Sequence, residues 1–190
     1  MTRTDIINIF IRHREYRSYP EIGVDHGLRN FACVQCEFKQ GVYPAVRAEG
    51  VLQMESDACF AACAGMFDVI FIDGLHEDRQ VDRDIASSMR HLNPGGVIVL
   101  HDCLPPDEWH QRPRQRFIPG EPWNGTVWKS VLRCFAVSPW KCYVVNCDWG
   151  CGVVDTRVPA TRPGRQLPEE LEYGRDFGRL TEYVVSPASF

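Results

Sequence analysis

Two histidine–aspartate pairs in the middle of this sequence have residue types that do chemistry. Asp73 closes the apolar run from Phe67 and is followed by Gly74-Leu75-His76; His101 and Asp102 close the run that starts at Val97. An imidazole at His76 or His101 can act as a general base on a substrate hydroxyl, with Asp73 beside it. The competing structural reading has Asp73 and Asp102 capping the segments that follow and His101 donating to a backbone carbonyl. Burying two such pairs for packing alone would be costly. If the two runs are neighbouring parallel strands about 5 Å apart, side chains leaving their ends can share one ion or one substrate oxygen. Asp73, Asp102 and at least one of His76 and His101 are therefore expected to converge, with Leu75 turned away into packing.

A second constellation is Glu21-Ile22-Gly23-Val24-Asp25-His26-Gly27. Glycines at a first strand–helix turn let the backbone approach a ligand, and the helix beyond offers free N–H groups. A tight structural turn would use the same glycines. A dinucleotide site is disfavoured. Asp25 stands where that fingerprint has its middle glycine, and Tyr43-Pro44 ends the second strand where an acid is wanted.

The elements that must position these residues alternate. Thr4 to Arg17 reads as an amphipathic helix capped near Thr4 or Asp5. Strands are expected at Tyr19–Val24, Lys39–Tyr43 and Val51–Met54, with a helix over Asn30–Glu37 between the first two. Ser56 or Asp57 should cap a helix ending at Gly65. Within Phe67 to Asp73 and Val97 to His101, Val69 to Ile72 and Val97 to Leu100 are continuously apolar, so both ranges should be central strands buried on two faces. Between them lies a polar helix, Glu77 to His91, ended by Asn93-Pro94-Gly95-Gly96. Asp102 to Trp123 is long and proline-rich, a loop or lid. A helix at Gly125–Phe135, with Asn124 as its cap and Trp123 and Trp128 as packing, or the whole segment as a substrate-facing wall, leads to strands at Lys141–Asn146 and Gly152–Asp155. Asp148-Trp149-Gly150 makes a hairpin turn between them. A last helix is expected over Pro168–Phe177. The pattern predicts one doubly wound, mostly parallel α/β sheet with a C-terminal antiparallel hairpin, spanning residues 1–155, and an extension over 156–190. Ligands in such sheets sit beyond the C-terminal strand ends.

Composition narrows the function classes. A 190-residue chain with 44% apolar residues needs neither disulfides nor a structural metal to fold. Its net charge of −4 argues against nucleic acid, and Arg112, Arg114 and Arg116 read as a solvated loop. No apolar run is long enough to cross a membrane and no signal peptide is apparent, so a cytoplasmic protein is expected. Nine cysteines, an odd number without paired finger spacing, read as reduced and mostly buried thiols.

EIGVDHG, GVYP, SDACFA, FDVIFIDGLHEDRQVDRDI and LNPGGVIVLHDC follow one another at suitable separations. That series resembles the class I S-adenosylmethionine-dependent methyltransferases, specifically a small subfamily with an IDG-x-H segment and an HD pair, over roughly Ile6 to Asp155. The resemblance implies an O-methyltransferase that uses S-adenosylmethionine. Glu21, Gly23 and Gly27 would line its methionine and ribose part, and Ser56 and Asp57 would lie near the adenine. Family members carry an Asp for the ribose hydroxyls where this chain has Tyr43; the Tyr43 hydroxyl or Glu37 would have to substitute. Asp73 also borders that cofactor site. Asp73 and Asp102 would hold a divalent metal such as magnesium, which lowers the pKa of the acceptor hydroxyl. Cys103 stands where relatives often place a further ligand, so a softer ion on His76 and His101 is a variant of this reading. The implied partner is a small hydroxylated acceptor, with a homodimer as one way to complete the site. The rivals are a degenerate fold kept as a cofactor- or partner-binding module, and a metal-dependent enzyme that uses the Asp/His cluster without S-adenosylmethionine.

Overall fold

A computed structural model describes residues 1–24, 27–161 and 164–189. Its framework is an eight-stranded sheet in the order β3-β2-β1-β4-β5-β7-β6-β8. The strands are β1 (Ser18–Ile22), β2 (Phe38–Val42), β3 (Val51–Leu52), β4 (Phe67–Ile72), β5 (Leu92–Leu100), β6 (Trp140–Val145), β7 (Cys151–Pro159) and β8 (Val184–Val185). From β3 to β5 all pairings are parallel; β7 is antiparallel to both β5 and β6. This is the doubly wound sheet with a C-terminal hairpin that the sequence predicts. β8 was not expected, and it pairs parallel with β6 at Val144 and Val145.

The apolar runs work as read. Val69 and Phe71 of β4, with Val97 and Val99 of β5, face one layer, where α1 (Arg3–Arg14) contributes Ile6, Ile7, Phe10 and Ile11. Ile70, Ile72, Ile98 and Leu100 face the other, against α4 (Asp78–Arg90) and α5 (Val127–Val137). Two shorter helices, α2 (Arg29–Cys33) and α3 (Ser56–Ala62), complete the parallel half, and a one-turn α6 (Tyr173–Asp176) follows β7. Leu171 and Leu180 join the second core layer.

Several local expectations are corrected. Thr2, not Thr4 or Asp5, caps α1: its hydroxyl accepts from the Asp5 N–H and the Asp5 carboxylate accepts from the Thr2 N–H at 2.8 Å, a capping box. Ser56 and Asp57 lie inside α3, and the Ser56 hydroxyl donates instead to Asp84 Oδ1 at 2.7 Å. α2 stops at Cys33 and α3 at Ala62, before the expected Glu37 and Gly65. Asn93-Pro94-Gly95-Gly96 is absorbed into β5 as a bulge: Phe67 pairs with Leu92, then Val69 with Val97. Asn93 Nδ2 donates to Asp68 Oδ1 at 2.8 Å and holds that bulge to β4. Asn124 caps nothing; Thr126 precedes α5. The C-terminal helix is one turn at Tyr173–Asp176 followed by 3-10 turns.

All nine cysteines are free thiols, but only Cys59, Cys103 and Cys151 are buried. Arg112 is buried rather than solvated and ties the Asp102–Trp123 loop together, donating to the carbonyls of Trp109, Arg116 and Pro122. No described helix is long and apolar enough to cross a membrane.

Candidate active site

Adjacent parallel strands bring the two His–Asp pairs together. Ile72 lies opposite Leu100, and the His101 N–H continues the ladder to the Ile72 carbonyl at 3.1 Å. Asp73 and His101 thus leave the sheet side by side. On the other flank the Asp73 N–H bonds to the Ile22 carbonyl of β1 at 2.8 Å. Gly23 follows with φ +93°, and a Cβ there would overlap the Asp73 carbonyl. Only glycine lets β1 leave the sheet so close to the end of β4. Gly23 is therefore demanded by the chain itself, whatever else it does for a ligand. Asp102 adopts φ 59°, a left-handed conformation uncommon outside glycine, and so turns back over the strand ends.

The side chains form a compact charge cluster. His101 Nδ1 lies 3.2 Å from Asp73 Oδ1 and 3.1 Å from Asp102 Oδ2, and its Nε2 is 3.5 Å from Asp148 Oδ1. His76 Nε2 lies 3.4 Å from Asp73 Oδ1 and 3.3 Å from Asp102 Oδ2. Its other nitrogen, Nδ1, is 3.1 Å from the Trp123 carbonyl, which can only accept, so Nδ1 carries the hydrogen. The Nε2 lone pair and two carboxylate oxygens then share one space, which calls for a cation there: a proton on Nε2 or a metal ion. Donor atoms of Asp73, His76 and Asp102 all lie within 4.8 Å of one another, a spacing that one ion with ligand distances of about 2–2.6 Å can bridge. Two carboxylates and an imidazole, whose far nitrogen is fixed by a carbonyl, make a donor set that fits a divalent cation. His101 lies outside that donor set, and Cys103 is a packed thiol directed at the Leu100 and His101 carbonyls.

Without an ion, burial works against a charged His101, but Asp73, Asp102 and Asp148 overcome it and raise its pKa well above the ordinary value. His76 is raised in the same way, by Asp102 and Asp73 against burial. Asp73 is held below the usual carboxylate range; burial opposes this and the two histidines outweigh it. Asp148, through its bond to His101, is lowered to about 2. Arg3, from the first turn of α1, reaches the same cluster. Its Nη1 lies 3.6 Å from Asp73 Oδ2, and its backbone N–H donates to Asp148 Oδ2 at 2.8 Å. Nη1 also lies 2.8 and 2.6 Å from the two ring nitrogens of His101. A guanidinium can only donate, so this contact favours a neutral ring while the carboxylates favour a charged one. Three carboxylates against one guanidinium leave the charged form ahead.

The segment Trp123 to Thr126 brackets the cluster from above. The Thr126 N–H bonds to the His76 carbonyl at 2.9 Å, and Trp123 stacks on the His76 ring with centroids 5.2 Å apart. Gly125, at φ +61°, lies so close to His76 that a Cβ would overlap its carbonyl oxygen. Gly125→Ala is expected to destabilise the protein by about 2–4 kcal/mol, combining a strained φ with a backbone overlap. Urea unfolding with a wild-type midpoint would show that the bracket yields freely.

Around the cluster runs one crevice over the C-terminal strand ends. A cavity of about 870 Å³ contains Arg3, Glu21, Asp73, His76, His101, Asp102, Asn124 and Asp148. Another of about 520 Å³ is lined by Met54, Glu55, Ser56 and Leu75, and by Arg114 and Phe117 from the long loop. Gly23, Tyr43, Gly74, His76 and Trp123 border both, so the two are continuous. Both volumes fall in the ordinary range for small-molecule sites. Leu75 lines the crevice instead of turning into packing.

Not every sequence-predicted residue is there. Asp57 faces Arg83 and Gln80 at 3.1 Å each and lines neither cavity. Gly27 is exposed and also lines neither. Glu37, offered as a substitute acid, pairs with Arg17 at the N-terminal end of β2, the wrong edge of the sheet. Asp25 and His26 lie outside the described residues. Sequence reasoning missed Arg3 and Glu55 as crevice residues, favoured a helix cap over a substrate-facing wall for Asn124, and read Asp148 chiefly as a turn. Arg3 did carry one signal: a cation in the first turn of a helix opposes the helix dipole and needs another reason to be there.

Residues 24–103 match the family model of a methyltransferase domain, Methyltransf_24. No curated protein matches the chain. Among solved structures, an O-methyltransferase from Bacillus cereus in complex with S-adenosylhomocysteine is 11% identical, with a TM-score of 0.57 and 80% of each chain covered. The O-methyltransferase TomG from Streptomyces achromogenes, involved in tomaymycin synthesis and in complex with S-adenosylmethionine, is 14% identical. It has a TM-score of 0.55 and covers 81% of this chain and 79% of its own. MycE, a methyltransferase of the mycinamycin biosynthetic pathway in complex with Mg and S-adenosylhomocysteine, is 17% identical at a TM-score of 0.50, over 92% of this chain and 54% of its own. Identities this low establish a shared fold. Residues 24–103 are thus similar to a methyltransferase domain, and the chain shares the Rossmann-like fold of class I methyltransferases.

Proposed function

We propose that this protein transfers a methyl group from S-adenosylmethionine to a hydroxyl oxygen of a small molecule, with a divalent cation held by Asp73, His76 and Asp102. The observation that carries this reading is the single crevice with the carboxylate–imidazole cluster at one end and the mixed polar and apolar cavity around Met54, Glu55 and Phe117 at the other. In it, the cavity around Met54, Glu55, Ser56 and Phe117 takes the adenosine, and Tyr43 stands at the junction where the ribose passes. Glu21, Gly23 and Asp73 border the methionine part. The cation, when bound, lowers the pKa of the acceptor hydroxyl and fixes its oxygen.

The chain's own residues do the remaining work. Asp73 and Asp102 point one oxygen each into the shared space, and the Trp123 carbonyl holds His76 in the tautomer that presents Nε2. His101 has both nitrogens within reach of carboxylates, so it aligns Asp73, Asp102 and Asp148 rather than offering a free base to the acceptor. Catalysis is then mainly orientation of the hydroxyl oxygen toward the methyl group. The same reading takes residues 1–155 as the catalytic domain of a cytoplasmic enzyme and 156–190 as its extension.

Thermal denaturation with S-adenosylhomocysteine, with and without magnesium, is the direct test. Ligand at a hundredfold excess over Kd stabilises by about 2.7 kcal/mol, a rise of roughly 5–10 °C in Tm for a chain this long. The absence of any shift with either S-adenosylmethionine or S-adenosylhomocysteine would sink the methyltransferase reading.

A further inference from the structure

Asn124 is 1% exposed, yet it borders the larger cavity. Its Nδ2 donates to Asp102 Oδ1 at 2.7 Å. Its Oδ1 is buried and has no hydrogen-bond partner. A buried amide oxygen without a partner costs on the order of 1–3 kcal/mol, so a chain that keeps one has a use for it or a group that satisfies it. Flipping the amide would not help, because it would set an oxygen lone pair against the Asp102 carboxylate.

The neighbouring backbone gives this side chain little freedom. The Asn124 and Gly125 N–H groups both bond to the His110 carbonyl, at 2.9 and 3.1 Å, while Thr126 and Gly125 are seated on His76. Asn124 therefore extends from the same bracket that fixes the His76 tautomer. Because its amide is bonded to Asp102 Oδ1, the other Asp102 oxygen, Oδ2, is the one left facing His76 and His101.

We infer that Asn124 is a fourth arm of the cation site: its N–H aligns Asp102, and its carbonyl oxygen completes the shell of the divalent ion. An amide oxygen is a hard donor suited to such an ion, which is small enough to reach an oxygen that water does not touch. This rests on the cation reading of the crevice, and it assigns a role to a segment remote in sequence from both His–Asp pairs.

Manganese(II) alone, titrated into the full chain and followed by the electron-spin-resonance signal of the free ion, is the probe; S-adenosylhomocysteine affinity is measured separately. Asn124→Leu keeps the volume and removes both polar atoms; it should weaken manganese binding by about 10–100-fold, the usual cost of losing a supporting partner. Its S-adenosylhomocysteine affinity should stay within about threefold of wild type. Asn124→Asp is isosteric and keeps an oxygen donor while abolishing the N–H to Asp102. If the oxygen serves the ion, this variant retains manganese affinity within about tenfold of wild type. Wild-type manganese affinity in Asn124→Leu overturns the assignment. So does an Asn124→Asp variant that loses the metal as fully as leucine does, because orientation of Asp102 would then be the whole effect. If the leucine variant does not fold, the aspartate variant decides by the same threshold. A wild-type chain that binds no manganese also overturns it. A chain that binds manganese but not S-adenosylhomocysteine refutes the methyltransferase reading and leaves the role of Asn124 standing.

Discussion

Asp73→Asn is expected to lower methyl transfer by about 10²–10⁴-fold, the range seen when a group that activates the nucleophile is lost. Its carboxylate meets three partners in the crevice. Oδ1 faces both His76 and His101, and Oδ2 faces Arg3. An amide keeps the shape but removes the charge and, in either orientation, turns an N–H toward a cation or a protonated ring. Manganese affinity should fall with activity, while S-adenosylhomocysteine affinity changes little if the cofactor relies mainly on Glu21, Tyr43 and the cavity around Met54 and Phe117. Asp148→Asn makes the contrast. Asp148 touches His101 and Arg3 but lies outside the set that can share an ion, so its loss should cost less and should spare metal affinity. Full turnover by Asp73→Asn on a true acceptor would remove the catalytic assignment, and activity that survives chelation would remove the ion while keeping the cluster.

The parts of this site legible in the sequence are those dictated by strand ends. Val69–Ile72 and Val97–Leu100 are apolar on every residue, so their strands had to be central, and central parallel neighbours had to deliver Asp73 and His101 to one edge. Bounds were less legible, because tertiary contacts decide them. The Asn93–Gly96 turn looks like a helix stop, yet Asn93 bonds to Asp68 and draws the bulge into β5. β8 has only Val184 and Val185, too few residues to show a period.

Contributions from distant segments were illegible for a different reason. Arg3, Asn124 and Asp148 come from the first helix, the end of a long loop and a hairpin turn, and each looked sufficient as local structure. Asn124 in particular has the residue type of a helix cap and the position of one, but its amide is committed to Asp102. Glu37 shows the converse error. It lies close in sequence to the second strand, but at the end away from the ligand edge, where Arg17 pairs with it. A side chain's edge of a parallel sheet follows from which end of the strand it adjoins, and that needs the strand bounds to within a residue or two.

S-adenosylmethionine should bind more tightly as pH rises toward 7, by up to about tenfold per unit, and Glu21→Gln should flatten that dependence. Glu21 is buried in β1, where the Tyr19 hydroxyl donates to it at 2.6 Å and the Asn30 amide at 2.9 Å. Burial lifts its carboxyl to about 7 and nearby Asp73 pushes the same way, against those two hydrogen bonds. In the ligand-free chain the folded state therefore binds a proton that the unfolded state has released between about pH 4.5 and 7, and stability falls as pH rises through that window. The whole span is worth about 3 kcal/mol, so Glu21→Gln should stabilise the free protein above pH 7 by up to about that amount and do little near pH 4.5. The methionine part of the cofactor carries an α-amino group that is cationic below about pH 7.7. Set beside Glu21, that cation favours the carboxylate, so binding expels the proton and must compete with it below pH 7. Calorimetry across this range, in buffers of different ionisation enthalpy, should register about one proton released at pH 6 and no release at pH 8, where the cofactor's amino group takes up part of a proton instead. Proton release that persists unchanged in Glu21→Gln would mean that another group titrates, and that the methionine end of the cofactor does not lie against β1.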